Sequence, residues 1–301
     1  MRQPLVVNSS IALETFETYR ESMLGLAYRM TGSRVEAEDI VQEACLKWLD
    51  VDHAAIQVPR AWLMKVTTRL ALDYLKSARV QRMSYVGPWL PEPYLADENT
   101  PAEELELDES ISMALLVLLD QLSPAERASY ILHDLFQYRF NEIGEILERS
   151  ESSCRKLASR ARAKLGSKHL KSEQSRDEHL QLLAAFSEAV KRGETEELVS
   201  LLKEDATFIS DGGGKAIAAR KVVCGAALIT RFFMKAVRPA FIAGAEEDVR
   251  VEMSWFNGAP GLIIYQAGVP VSAYQFEVEQ NKICGIYALR NPDKLTFFVG
   301  R

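Results

Sequence analysis

The period of the apolar pattern changes near residue 172, and that change excludes one uniform architecture for the chain. From Leu13 to Lys76, and again from about Glu103 to Leu170, apolar residues recur at three- and four-residue spacing, as amphipathic helices require. One more helix, Asp177 to Lys191, follows. The pattern then alternates with period two: Val249, Val251, Met253 and Trp255, next Leu262 to Tyr265, next Tyr274, Phe276 and Val278, and last Ile283 to Leu289. Asn257-Gly258 and Asn281-Lys282 fall where hairpin turns belong. Helical domains followed by an α+β domain are therefore expected, and 301 residues suffice for two or three domains.

Local signals set the helix boundaries. Gly32 breaks the first helix, and Ser33 with Glu36 three residues on forms a capping box for a second, through Ile40, Val41, Ala44, Cys45, Trp48 and Leu49. A third starts at Pro59, where proline is tolerated, and buries Leu63, Val66, Leu70 and Leu75. Ser123-Pro124-Ala125-Glu126 is another helix start. Asn141 to Leu147 is a short amphipathic helix, Glu148-Arg149-Ser150 a turn, and Glu151 to Leu165 a second helix, together a helix-turn-helix pattern. Between these helical stretches, Gly87, Pro88, Pro91 and Pro93 enforce an extended path. A flexible spacer would not carry Trp89, Leu90, Tyr85 and Tyr94, so this segment is expected to dock on a surface.

Net charge is −6, yet the charge lies in blocks. Arg60, Lys65, Arg69, Lys76, Arg79 and Arg82 share their stretch with one acid, Asp73. Residues 83–126 contain no Lys or Arg, and residues 149–171 are again basic. Two basic helical segments flanking an acidic one fit two DNA-facing elements joined by a tether that repels DNA. Solvated helix faces would also give this charge pattern. The common nucleotide-binding and hydrolase motifs are absent, and the four cysteines and four histidines are scattered without metal-ligand spacing. No cofactor or metal is expected. With no apolar run long enough for a membrane span and no leader-like start, a cytoplasmic protein with no membrane partner is expected.

Particular residues then carry a family resemblance. Asp39-Ile40-Val41-Gln42-Glu43-Ala44, Pro59-Arg60-Ala61-Trp62-Leu63 onward to Asp73-Tyr74-Leu75-Lys76, Leu122-Ser123-Pro124-Ala125-Glu126-Arg127, and Glu151 to Lys164 occur in the order seen in extracytoplasmic-function (ECF) sigma factors of bacterial RNA polymerase. Trp89-Leu90-Pro91-Glu92-Pro93, Asp211-Gly212-Gly213-Gly214-Lys215 and Asn291-Pro292-Asp293-Lys294-Leu295 resemble the signature of the SigJ-like subgroup, which carries a C-terminal SnoaL-like domain. The chain departs from the pattern at Glu148, where glycine is usual, and at Cys154, where an aliphatic residue is usual.

The resemblance implies two all-α sigma domains followed by an α+β SnoaL-like cone. The implied bounds are sigma region 2 over 9–83, an acidic Pro-rich linker over 84–108, sigma region 4 over 109–171, and the cone over 172–301. It implies an alternative sigma factor, not itself catalytic, that binds core RNA polymerase and promoter DNA. The cone regulates it in cis, with no separate anti-sigma factor expected. Asp39, Gln42 and Glu43 share one helix face, which alone reads as a solvated face; the resemblance makes it the polymerase contact. Arg60, Trp62, Lys65, Arg69, Lys76, Arg79 and Arg82 become the −10 candidates, with Trp62 read either as a base-stacking platform or as core. Ser152, Ser153, Arg155, Lys156, Ser159, Arg160 and Arg162 become the −35 candidates, with Leu157 and Ala161 facing inward. Asp211 to Lys215 is either a plain turn or, with Asn291 to Lys294, a clasp on Trp89, Pro91, Glu92 and Pro93. The cone's fold also occurs among isomerases and cyclases, so Asp211, Tyr265, Tyr274 and Tyr287 leave catalysis open, and a small-molecule ligand in the cone is open too. The rival reading is a stand-alone DNA-binding regulator whose cone senses or converts such a molecule.

Overall fold

The computed structural model describes residues 4–82, 85–95, 111–166, 176–243 and 248–299, with side chains described from Ile11 onward and omitted for 78–82 and 243. The expected helical start near Glu103 and most of the acidic stretch lie outside these residues. The chain divides into two compact units. One comprises residues up to Met83 and Leu118–Lys168; the other comprises Ser84–Val117 and His169–Arg301. The Pro-rich segment therefore belongs with the C-terminal unit.

The first unit is helical. It contains α1 (Pro4–Thr31), α2 (Arg34–Asp50) and α3 (Pro59–Arg82), then α4 (Met113–Asp120), in which the division between the units falls. After α4 come α5 (Pro124–Tyr130), a π-helical turn (Ile131–Leu135), α6 (Phe140–Leu147) and α7 (Glu151–Leu165). Gly32, at φ +69°, ends α1 in the left-handed region, and the Ser33 hydroxyl accepts from the Glu36 amide at 3.3 Å to start α2. Met23, Leu26, Ala27 and Met30 of α1 meet Ala37, Ile40, Val41, Ala44 and Trp48 of α2 in the core. The Trp48 indole N–H donates to the Ala12 carbonyl at 2.7 Å, which satisfies its one polar atom in that apolar setting. α5 opens with a full capping box between Ser123 and Glu126, with Pro124 in its first turn. Arg127 is buried, donating to the Met30 carbonyl at 2.6 Å, where α1 ends with unsatisfied carbonyls, and to Asp120 at 2.9 Å.

The second unit is an α+β domain. α8 (Arg176–Arg192), α9 (Thr195–Leu201), β1 (Leu202–Asp211) and β2 (Val223–Cys224) precede α10 (Ala226–Phe232), a second π turn and α11 (Arg238–Ala243). Strands β3 (Val249–Phe256), β4 (Ala259–Gln266), β5 (Val269–Glu279) and β6 (Lys282–Leu289) follow, then a short α12 (Pro292–Leu295). The six-stranded sheet has the order β2-β1-β6-β5-β4-β3, and β1 pairs with β6 in parallel. Asn257-Gly258 makes the β3–β4 turn with both residues at positive φ; the β5–β6 turn uses Gln280 and Asn281, one residue earlier than expected.

The period-two pattern buries both sheet faces. Leu262, Ile264, Tyr274, Phe276, Ile286 and Ala288 face the helices, where Phe186, Phe208 and Phe233 pack in edge-on or tilted contacts 5.1–5.6 Å apart. Those rings pack between sheet and helices. The opposite face presents Phe256, Ile263, Tyr265, Ala273, Tyr287 and Leu289, covered by Leu90, Leu95, Met113, Ala114, Leu295 and Phe298. The Pro-rich segment is thus an apolar cover for one face of the sheet.

Candidate nucleic-acid interface and linker clasp

α2 buries Ala37, Ile40, Val41, Ala44 and Trp48, which turns Asp39, Gln42 and Glu43 outward. All three are exposed, and Glu43 pairs with Lys47 of its own helix at 3.2 Å. On α3, Arg60 is exposed with its guanidinium over the Tyr138 ring at 5.6 Å, and Lys76 is exposed and paired with Asp73 at 2.7 Å. Trp62 is half-buried against Trp48, ring centroids 5.5 Å apart, so one part of it is core and the rest stays accessible. Lys65 and Arg69 are also half-buried. Arg69 donates to the Ile146 carbonyl at 3.3 Å and to Glu148 at 2.6 Å. Arg79 and Arg82 lie in α3, but their side chains are outside the described residues.

The α6–α7 turn is tight. A Cβ on Gly144 would come within 2.7 Å of the Arg149 carbonyl, so only glycine fits there. Glu148 occupies the left-handed region at φ +53°. Ser150 caps α7 by accepting from the Ser153 amide at 3.3 Å. Cys154, Leu157, Ala158, Ala161 and Leu165 form the buried stripe, and burial raises the Cys154 thiol pKa. The exposed face carries Ser152, Arg155, Lys156, Ser159, Arg160 and Arg162, with Ser153 half-buried. Its arginines all have carboxylate partners within the unit: Arg155 with Glu151 at 2.6 Å, Arg160 with Glu126 at 3.1 Å, and Arg162 with Asp134 at 2.7 Å. Lys156 and Arg149 have no such partner among the described residues.

In the C-terminal unit, the Asp211 carboxylate is fully buried at the end of β1. It accepts from the Tyr85 hydroxyl at 2.6 Å, the Leu90 amide at 2.9 Å, the Gly213 amide at 3.0 Å and the Lys294 ammonium at 2.7 Å. Lys294 also donates to the Leu90 carbonyl, and its ammonium lies 4.2 Å from the Trp89 ring centroid and 5.4 Å from that of Tyr85. Burial and the Asp211 carboxylate together push the Tyr85 phenol pKa above its ordinary value. Asn291 donates to the Tyr85 hydroxyl at 3.0 Å and caps α12. Gly213 is at φ +58°, and a Cβ there would lie 2.4 Å from the Asn291 side chain. At the far end of the segment, Asn257 accepts from the Tyr94 amide at 3.1 Å and donates to the Ile111 carbonyl at 3.0 Å.

Residues 15–80 match the Sigma-70 region 2 family and residues 112–165 match Sigma-70, region 4. The ECF RNA polymerase sigma factor SigJ of Mycobacterium tuberculosis is 38% identical over 290 residues, 93% of this chain and 92% of that protein. The chain belongs to the ECF sigma factors. A probable ECF RNA polymerase sigma factor, SigI, of the same species is 30% identical over 285 residues, covering 93% of each chain. The crystal structure of M. tuberculosis SigJ aligns with a TM-score of 0.76 at 33% identity, covering 94% of this sigma factor and 98% of that chain. Helical regions 2 and 4 followed by a C-terminal α+β domain agree with the expected fold class, and sigma factors are non-catalytic polymerase subunits.

Of the residues singled out from the sequence, the structure of this sigma factor brings together Asp211, Gly213, Asn291 and Lys294 with Trp89 and neighbouring Tyr85 and Leu90. Pro91 and Pro93 are buried, and Glu92 is half-buried. Lys215 does not join Asp211; it pairs with Asp293 at 2.5 Å on the surface. A Cβ on Gly212 would strike the Ala216 carbonyl, and one on Gly214 would press on Val86. Pro292 is exposed in the first turn of α12. Asn257 escaped sequence reasoning as a site residue, and Tyr85 entered it only as an aromatic of the docking segment. Asn257 read as a turn residue, which hid its second role, and nothing local to Tyr85 points to a partner 126 residues away. Tyr274, a residue that left catalysis open, sits in the aromatic core.

Proposed function

We propose that this sigma factor docks core RNA polymerase through Asp39, Gln42 and Glu43 of α2. It meets the −10 element through the α3 cations and Trp62, and the −35 element through α7. Initiation follows from that pairing, and the C-terminal domain regulates it in cis through its hold on residues 85–95. The observation that carries the reading is the outward acidic and amide face of α2 in a chain that also presents a helix-turn-helix. A stand-alone DNA-binding regulator has no use for such a face. The apolar cover that Leu90 and Leu95 lay over one face of the sheet favours regulation through the docked linker. Polymerase and promoter place its work in the cytoplasm.

The test is transcription in vitro with purified core polymerase, using the full chain. Wild type should direct initiation, and Asp39→Ala with Glu43→Ala should abolish it without lowering affinity for duplex DNA. Asp211→Ala should alter initiation while leaving duplex affinity unchanged. Initiation by the α2 variant at wild-type levels would overturn the polymerase assignment; an unaltered Asp211→Ala would overturn regulation through the clasp. The point variant is preferable to a chain ending at Lys171, because that truncation would bare the apolar side of Leu90, Leu95 and Met113.

A further inference from the structure

The recognition helix is less cationic toward solvent than its sequence suggests. α7 carries Arg155, Lys156, Arg160, Arg162 and Lys164, and in its C-terminal half Arg160 and Lys164 share one carboxylate, that of Glu126. Glu126 comes from α5, ahead of the helix-turn-helix, and its side chain is 6% exposed. One oxygen takes Arg160 at 3.1 Å. The other takes Lys164 at 2.8 Å, the Ser123 hydroxyl at 2.8 Å and the Ser123 amide at 3.1 Å. The capping box thus fixes the carboxylate in place independently of the cations. Arg160 and Lys164 remain 61% and 51% exposed, so the acid is the anchored partner and the cations are the movable ones.

We propose that Glu126 sets the sequence discrimination of the recognition helix by withholding Arg160 and Lys164 from the DNA backbone. This rests on the reading that α7 contacts the −35 element. Phosphate contacts supply affinity without sequence information, whereas base edges supply discrimination. With those cations held on α5, and Arg155 and Arg162 held by Glu151 and Asp134, the face offered to DNA is Arg149, Ser152, Lys156 and Ser159. Few phosphates are then neutralised indiscriminately, and polar groups suited to base edges and bridging water make up the rest. Glu126 is a positioning residue: it acts on DNA only through the cations it holds.

The experiment measures binding of the full chain to a short mixed-sequence duplex, and to the duplex the wild-type holoenzyme selects from a randomised pool, across a salt series. Each phosphate neutralised steepens log K against log salt by about 0.9. Glu126→Gln should steepen the slope on the mixed duplex by up to about 1.8, as two cations are released, and shrink the preference for the selected duplex. Adding Arg160→Gln and Lys164→Gln to that variant should return the slope to wild type, a rescue that loss of fold would not give. Should Glu126→Gln fold poorly, Arg160→Gln with Lys164→Gln in the wild-type background decides. An unchanged slope supports sequestration, and a slope about 1.8 shallower overturns it, because the cations would then already sit on phosphates. Lys156→Ala separates the two readings. If it flattens the slope while Glu126→Gln leaves it unchanged, Glu126 has no such role; if it changes nothing, α7 is not the DNA-binding helix.

Discussion

Removing the Asp211 carboxylate should release the linker, and the structure sets the scale. Asp211 is fully buried, its Lys294 partner is 7% exposed at the side chain, and they are 2.7 Å apart. Taking away one member of a buried ion pair leaves the other charged and desolvated, at about 3–5 kcal/mol. Asp211→Ala does this to Lys294 and also strands the Tyr85 hydroxyl and the Leu90 and Gly213 amides. Lys294→Met likewise leaves a buried charge, but the Asp211 carboxylate keeps its three neutral donors, so its cost falls at the low end of that range. The ordering Asp211→Ala worse than Lys294→Met is thus a consequence of donor count. The assay is hydrogen exchange at the Leu90 amide, which donates to Asp211 at 2.9 Å. Exchange in Asp211→Ala should accelerate by about two to three orders of magnitude, taking tenfold per 1.4 kcal/mol. The Ala44 amide in α2, in the other unit, serves as the control and should not move. Acceleration of Leu90 by less than about tenfold would refute the reasoning, since the pair would then be contributing no more than an exposed one.

Glu126 gives a pH signature. Its partners Lys164 and Ser123 lower its pKa to about 2, below that of an unfolded-chain carboxylate near 4.3. The unfolded state binds the proton first, so the contribution is fully present above about pH 4.5 and is lost as pH falls toward 2. Melting temperature by circular dichroism should drop more between pH 6 and pH 3 in wild type than in Glu126→Gln. Glu148→Gly sets two small effects against each other: relief of a left-handed non-glycine residue, about 1 kcal/mol, and loss of the exposed Arg69 pair, about 0–1 kcal/mol. Chemical denaturation should find the variant within about 1 kcal/mol of wild type; destabilisation beyond about 2 kcal/mol would contradict that balance. Asn257→Gly keeps the positive-φ turn but removes the side-chain bonds to Tyr94 and Ile111. Limited proteolysis should cut residues 85–95 faster in that variant while the melting of the helical unit stays constant.

How much was legible in the sequence follows the range of the interactions involved. The amphipathic helices, the Ser123-Glu126 capping box, the Asn257-Gly258 turn and the inward Leu157 and Ala161 all depend on neighbours within a few residues, and these appear in the structure. β1 escaped notice because it follows α9 without a turn and begins Leu-Lys-Glu-Asp, and its parallel partner β6 lies some 80 residues on.

Sequence alone determined the helical and α+β segments, the region 2 and region 4 motifs, and the docking character of a proline-rich stretch too apolar to stay in water. Tertiary structure alone decided which charges are free. Charge is a property of residue type, but availability is a property of distance and burial. Asp211 therefore meets Lys294 and not Lys215, and Arg160 and Lys164 of the recognition helix turn to a carboxylate more than thirty residues back in the chain.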